Sequence, residues 1–230
     1  MIKIKNHDKK VIYTHDGNTL VGADLSNAKL TDAYLPYANL RGADLTGADL
    51  IGAYLEGANL RDADLRDANL SDADFSYANL RGANLWRSNL SGADLTSADL
   101  TYAVLTGVDL SNADLSNAKL NKAYLSSANL TRANLSGADL FWAILGDAVL
   151  ADAKLVKTKL FCADLSNANL SRSNLSGAIL SHADLSSANL VRADLTGADL
   201  TSADLRGVDI EFANLDKIKI CYNTLKLLIK

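Results

Sequence analysis

The chain has 230 residues, of which 48% are hydrophobic and 22% charged, with three His, two Cys and a formal net charge of −4 at pH 7. No run approaches the roughly 18 consecutive apolar residues of a membrane-spanning helix, and the lysines after Met1 lead into no apolar segment of the kind a secretory signal needs. Cys162 and Cys221 fit no disulfide or zinc spacing, so the expectation is a cytoplasmic protein with no cofactor, no metal and no membrane partner.

In chain order, the first segment is "IKIKN-HDKK-VIYT", residues 2–14, which reads as two short strands around a polar turn. Residues 1–20 are accordingly expected to form an N-terminal strand-pair cap. From Leu20 to Leu215 every fifth residue is apolar: 40 positions, all Leu except Phe75 and Ile210. Two residues before these, from Ala23 to Ala213, 34 of 39 positions are Ala; the exceptions are Ser88, Val108, Thr158, Ser173 and Val208.

A period of five excludes a helix, because five residues overshoot a full turn by about 140° and would scatter the leucines around it. It also excludes one long strand, where an odd spacing sends successive leucines to opposite faces. The remaining reading is a unit with Ala in, Asp or Asn out, Leu in, and then a two-residue corner. Thirteen of the 14 glycines fall in phase at the second corner residue, where unusual φ is tolerated. Outer features such as Arg41, Arg61 and Arg81, or Asp164, Asp184 and Asp204, recur at 20 residues. Twenty residues per coil means four sides, and about ten coils at roughly 4.8 Å make a rod of about 48 Å.

The tandem A-(D/N)-L-x-x over residues 21–215 resembles the pentapeptide-repeat family. The resemblance implies an all-β, right-handed quadrilateral parallel β-helix, and members that act as scaffolds and protein mimics rather than as enzymes.

The inner residues are fixed by folding, so function is written on the outside. Residues 21–215 hold 24 acids and 15 bases, a net of −9, yet residues 115–160 hold six bases and three acids, a net of +3. In that basic band the stretch "FWAILGDAVLADAKLVKTKLFC", 141–162, replaces Ser, Thr, Asn and Asp with Phe, Trp, Ile, Val and Lys. A 20-residue coil puts Tyr102, Trp142, Cys162 and His182 in one outer column, with Lys122 between the first two. Phe141 and Phe161 form the column beside it, and Val104, Tyr124 and Ile144 lie round the corner. Contiguous apolar surface of this kind marks a protein-binding edge, and Tyr102, Val104, Tyr124, Phe141, Trp142, Ile144 and Phe161 are its candidate residues.

Cys162, His182 and the nearby Asp164 and Asp184 are the types of a nucleophilic triad. A convex edge offers no pocket to exclude water, so no catalytic residue is expected. The Asp columns are expected to be kept stable by interleaved Asn and by Arg41, Arg61 and Arg81 beside Asp44 and Asp64. The alternative use for the acidic body comes from the resemblance: a DNA mimic that binds a type II topoisomerase, DNA gyrase, and inhibits or protects it. Direct nucleic-acid binding is not expected of a surface without basic excess.

The last segment, residues 216–230, alternates from Lys217 to Tyr222, after which Asn223 reads as the N-cap of a short helix. It is expected to cap the rod. The resemblance offers a homodimer through this tail instead, because gyrase-protecting members pair that way.

Overall fold

The computed structural model describes residues 1–221. Strand β1 (Ile2–Lys5) pairs antiparallel with β2 (Val11–His15), with an irregular register between Ile4 and Lys5. Ile4 is buried, and Ile2, Ile12 and Tyr13 pack against the end of the core. In the tight connection the Asn6 carbonyl accepts the Lys9 N–H, Asn6 Oδ1 accepts the Lys10 N–H, and Lys9 has a φ of 64°. Beyond β1, Asn6 bridges Ala33 antiparallel, and Tyr34 N–H donates to the Lys5 carbonyl at 2.7 Å.

From Asp24 onward, each residue at the outward position of a side forms a parallel bridge with the residue 20 further on. The four series start at Asp24, Lys29, Tyr34 and Asn39 and make a four-sided parallel β-helix. The last bridge, Asp199 to Lys219, carries the coil past residue 215, with Ile218 and Ile220 packed against the core. Tyr222 and the helix read from Asn223 lie outside the described residues. No helix among the described residues is long and apolar enough to cross a membrane.

The corners explain the period of five. Each is a β-turn closed by the N–H of the Ala position donating to the Leu carbonyl three residues earlier, as from Ala48 to Leu45 at 3.0 Å. The third residue of every turn, all 40 positions from Gly22 to Lys217, has a positive φ between 54° and 71°. Glycine enters this region freely, whereas other L-residues lose about 1–2 kcal/mol there. Twelve of the 14 glycines sit at these positions; Gly17 and Gly146 do not. At Gly92, φ is 70° and an added Cβ would crowd Asp72 Oδ1. Gly92→Val is therefore expected to destabilise the rod by about 2 kcal/mol, read as a lower urea midpoint. An unchanged midpoint would contradict a left-handed corner at this position.

Where the residue before a Leu is Asp or Asn, the reason is local. Its side-chain oxygen accepts the N–H two residues on, closing the start of the next corner. Asp44 Oδ1 takes Thr46 N–H at 2.9 Å, and Asn89 Oδ1 takes Ser91 N–H at 3.0 Å. Only short side chains with an oxygen at that reach can do this. Asn also links coils, donating from Asn59 to Asn39 at 3.2 Å and from Asn129 to Asp109 at 3.0 Å. Inside, the Leu and Ala columns are almost wholly buried, each Leu contributing about 2 kcal/mol of apolar burial. The three polar exceptions keep partners: Ser88 Oγ donates to Leu85, Thr158 Oγ1 to Leu135 and Ser173 Oγ to Leu170 carbonyls, all within 2.8 Å.

Candidate functional site

One coil breaks the local rule on all four sides. Between 141 and 160 the outward positions are Ile144, Val149, Lys154 and Lys159. None carries an acceptor for the amides of Gly146, Ala151, Val156 and Phe161. Each absent cap forgoes about 1 kcal/mol. The edge adds a second departure, because Tyr102 and Trp142 occupy left-handed corners at φ 62° and 60°, a conformation disfavoured for bulky side chains.

The structure brings the candidate residues together on two adjoining surfaces. On one side, Val104 bridges Tyr124 and Tyr124 bridges Ile144. On the neighbouring corner the Phe141 and Phe161 rings stack with centroids 5.0 Å apart and planes 6° from parallel. Trp142 meets Phe141 edge-on at 6.0 Å, and His182 meets Phe161 at 5.3 Å. Stacked and edge-to-face rings fix one another's orientation, so this corner is a preset surface rather than loose side chains. Trp142 is the most open of the group at 52% exposure; Tyr102, Tyr124 and Phe141 are exposed, and Val104, Ile144 and Phe161 are half-buried. Tyr102 lies between two cations, with the Arg81 guanidinium 5.1 Å and the Lys122 ammonium 5.4 Å from its ring centre. Lys122 Nζ also donates to Tyr102 Oη at 3.3 Å.

Around this edge, Lys159 pairs with Asp139 at 3.7 Å, and Asp139 accepts hydrogen bonds from Asn121 and from Phe141 N–H. Among the described residues no hydrogen bond joins Cys162 to His182, whose ring contact is to Phe161. No group of three metal-ligating side chains is assembled among the described residues.

The arginine ladder does not neutralise Asp44 and Asp64 as the columns led us to expect. Asp64 is held instead by Arg66, whose Nε donates to both carboxylate oxygens at 2.8 and 2.9 Å. Arg61 pairs with its neighbour Asp62 at 3.3 Å, and Arg81 turns to Tyr102. A side chain two residues on, leaving the same corner, reaches a carboxylate more directly than one across it. The Arg66 hydrogen bond holds the Asp64 carboxyl below the usual carboxylate range, as Arg172 does for Asp152 and Arg206 for Asp204. These exposed pairs keep the outer acids ionised; they contribute little to stability.

A second aromatic group escaped the column reading. His7 in the hairpin turn meets Tyr34 at 5.7 Å and Tyr54 at 5.6 Å, and Tyr34 and Tyr54 are 6.1 Å apart. Tyr34 and Tyr54 are spaced by 20, so the signal was available, but the position of His7 depends on the hairpin fold. Beside them Tyr37 Oη donates to Glu56 at 3.0 Å, which raises the phenol's pKa.

A family model for pentapeptide repeats matches eight copies between residues 17 and 219. The chain is 36% identical to HetL, a pentapeptide-repeat protein involved in heterocyst differentiation regulation from the cyanobacterium Nostoc sp. strain PCC 7120. That match covers 85% of this chain and 87% of HetL, with a TM-score of 0.70. It is 44% identical over 41% of its length to the pentapeptide-repeat protein Rfr23 from the cyanobacterium Cyanothece 51142, covering 61% of that protein at a TM-score of 0.34. It is 20% identical to QnrB1, a plasmid-mediated fluoroquinolone resistance protein, covering 75% of this chain and 86% of that one at a TM-score of 0.45. No match was found among curated proteins. With 20-residue parallel coils and a repeat match from 17 to 219, this chain, a right-handed quadrilateral β-helix, belongs to the pentapeptide-repeat family.

Proposed function

We propose that this protein is a non-catalytic binding module whose partner protein docks on the edge centred on Phe141, Trp142 and Tyr124. The observation that carries this reading is the joint breach of two local rules at one place. Val104, Tyr124 and Ile144 stand where Asp or Asn would cap a corner, and Trp142 stands where Gly or Asn would fit more easily. Each choice costs stability, and sites that depart from locally favoured residues are where function is expected. The partner would present apolar side chains to the ring cluster and carboxylates toward Lys122 and Lys159. The similarity to HetL, a protein involved in regulation, fits a binding role. The test is partner capture by the wild type against the Phe141→Ser/Trp142→Ser double variant, developed in the Discussion.

A second reading rests on the carboxylates. Asp164, Asp184 and Asp204 are bridged in one column, and Asp24, Asp44 and Asp64 in the same column nearer the N terminus. In this reading the acidic surface occupies the DNA-binding groove of gyrase. A supercoiling assay with purified gyrase, with and without a quinolone, should show dose-dependent inhibition or protection. That effect should weaken when Asp44, Asp64 and Asp74 become Asn, which keeps the corner caps and removes the charge. No effect at micromolar protein removes this reading and leaves the aromatic edge.

A further inference from the structure

In every later coil the backbone groups facing the N-terminal end are taken by the coil before. On the second side of coil two, Asp49 N–H donates to the Ala28 carbonyl at 2.9 Å, the Asp49 carbonyl accepts Leu30 N–H at 2.7 Å, and the Ile51 carbonyl accepts Asp32 N–H at 2.9 Å. The equivalent groups one coil earlier are Lys29 N–H, Lys29 C=O and Thr31 C=O, and none of the three has a hydrogen-bond partner among the described residues. In the 20-residue register their partners would be residues 8, 10 and 12. The chain commits those residues to the β1–β2 hairpin, which covers the Ala33–Tyr34 side of the first coil instead.

What lies beside the open groups is a groove of about 370 Å³ lined by Lys10, Val11, Ile12, Lys29 and Thr31, at the lower end of ligand-site volumes. Its apolar wall is Val11, 42% exposed, with Ile12. Its charged groups are the Lys10 and Lys29 ammoniums; Lys29 also stands 3.7 Å from Asp49. An unpaired sheet edge is a template for another strand, and peptide recognition by strand addition uses this arrangement of backbone groups with flanking side-chain pockets.

We propose that the N-terminal end of the rod is a strand-acceptor site, and that its occupant is an extended, carboxylate-bearing segment of another protein. This inference is independent of the aromatic edge. The segment would place a carbonyl on Lys29 N–H and two amides on the Lys29 and Thr31 carbonyls, with small or apolar residues inward and acidic residues toward Lys10 and Lys29. Charge separates this occupant from a second copy stacked end to end. Residues 1–20 carry four Lys against two Asp, and the last described residues, 216–221, carry two Lys against one Asp. Head-to-tail stacking would set two segments of the same positive sign against each other.

The pattern that coil one presents to coil two also defines a probe: a repeat peptide such as acetyl-GADLTSADL-amide, the sequence of residues 92–100. Titrated into the isotope-labelled full chain, it should shift the amide resonances of Lys10–Ile12 and Lys29–Thr31. Replacing both Asp of the peptide by Lys should weaken binding roughly tenfold. The Lys10→Glu/Lys29→Glu variant should reverse that preference, and Phe141→Ser/Trp142→Ser should bind the probe as the wild type does. Absence of shifts at Lys29 and Thr31 at millimolar peptide overturns the proposal, as does equal binding of the acidic and basic peptides. Concentration-dependent association of the free protein that perturbs the same amides also overturns it, because the end would then accept a second copy.

Discussion

The Phe141→Ser/Trp142→Ser variant is expected to lose its partner protein by at least about 100-fold while melting as a folded rod. Large aromatic side chains at the centre of an interface are its usual energetic anchors, each worth about 2 kcal/mol or more on truncation. Neither side chain enters the Leu and Ala columns, and Ser fits a corner at least as well as either. A companion variant makes the test sharper. Tyr124→Asn/Ile144→Asn restores side-chain acceptors for the amides of Ser126 and Gly146, as at most other sides of the rod. It should raise stability by about 1 kcal/mol per restored cap and also weaken partner binding. Opposite movement of stability and affinity in one variant is what a functional surface built against local preference requires. If both variants bind as the wild type does, the edge is ordinary surface and the proposal fails. The measurements are a denaturant midpoint and an affinity for the captured partner on the same preparations.

Leu125→Asp is expected to have the largest effect on folding. Leu125 is fully buried midway along the rod, with its N–H bonded to the Ile144 carbonyl. Truncating such a leucine costs about 2–5 kcal/mol through lost contacts and a cavity. A carboxyl adds the cost of an unpaired polar group in an apolar interior, which drives it to the protonated form. In a solenoid each coil touches only its neighbours, so the damage should centre on coils 101–160 and leave the ends separable. Limited proteolysis should cut there first, and the urea transition should fall sharply or split. Leu125→Met, nearly equal in volume, should cost less than about 1.5 kcal/mol. A Leu125→Asp protein that unfolds at the wild-type midpoint would show that this column does not face inward.

Much of the architecture was legible because it is one rule repeated. A five-residue period with Ala and Leu two apart admits neither a helix nor a straight strand, and the recurrence of Arg41, Arg61 and Arg81 at 20 fixed the number of sides. The convergence of Phe141, Trp142 and Phe161 followed from the same arithmetic. The meaning of the Asp and Asn positions was harder to read. As letters they look like a charged face, yet Asn89 serves as well as Asp44 because both close a corner through a side-chain oxygen. The charge is thus secondary to the geometry, and the absence of these residues between 144 and 159 says more than their presence elsewhere. The pairing of Asp64 with Arg66 rather than with the arginine ladder depended on side-chain direction, which periodicity does not contain. The groove at Lys29 depended on how a hairpin of unlike sequence sits on the first coil, and no repeat rule governs that.

Four corners per coil, all left-handed, also set how a chain of this kind tolerates insertions and deletions. Gaining or losing one unit of five leaves the interior columns intact, so the protein still folds. It also swings everything downstream by a quarter-turn, carrying Phe141 and Trp142 to a different compass point relative to the N-terminal groove. Gaining or losing 20 residues restores the bearing and changes only the distance between them by one coil, about 4.8 Å. Two partners engaging both features at once would sense the first change as a rotation and the second as a small lengthening. Where both must be engaged together, such length changes should be retained in steps of 20 rather than five.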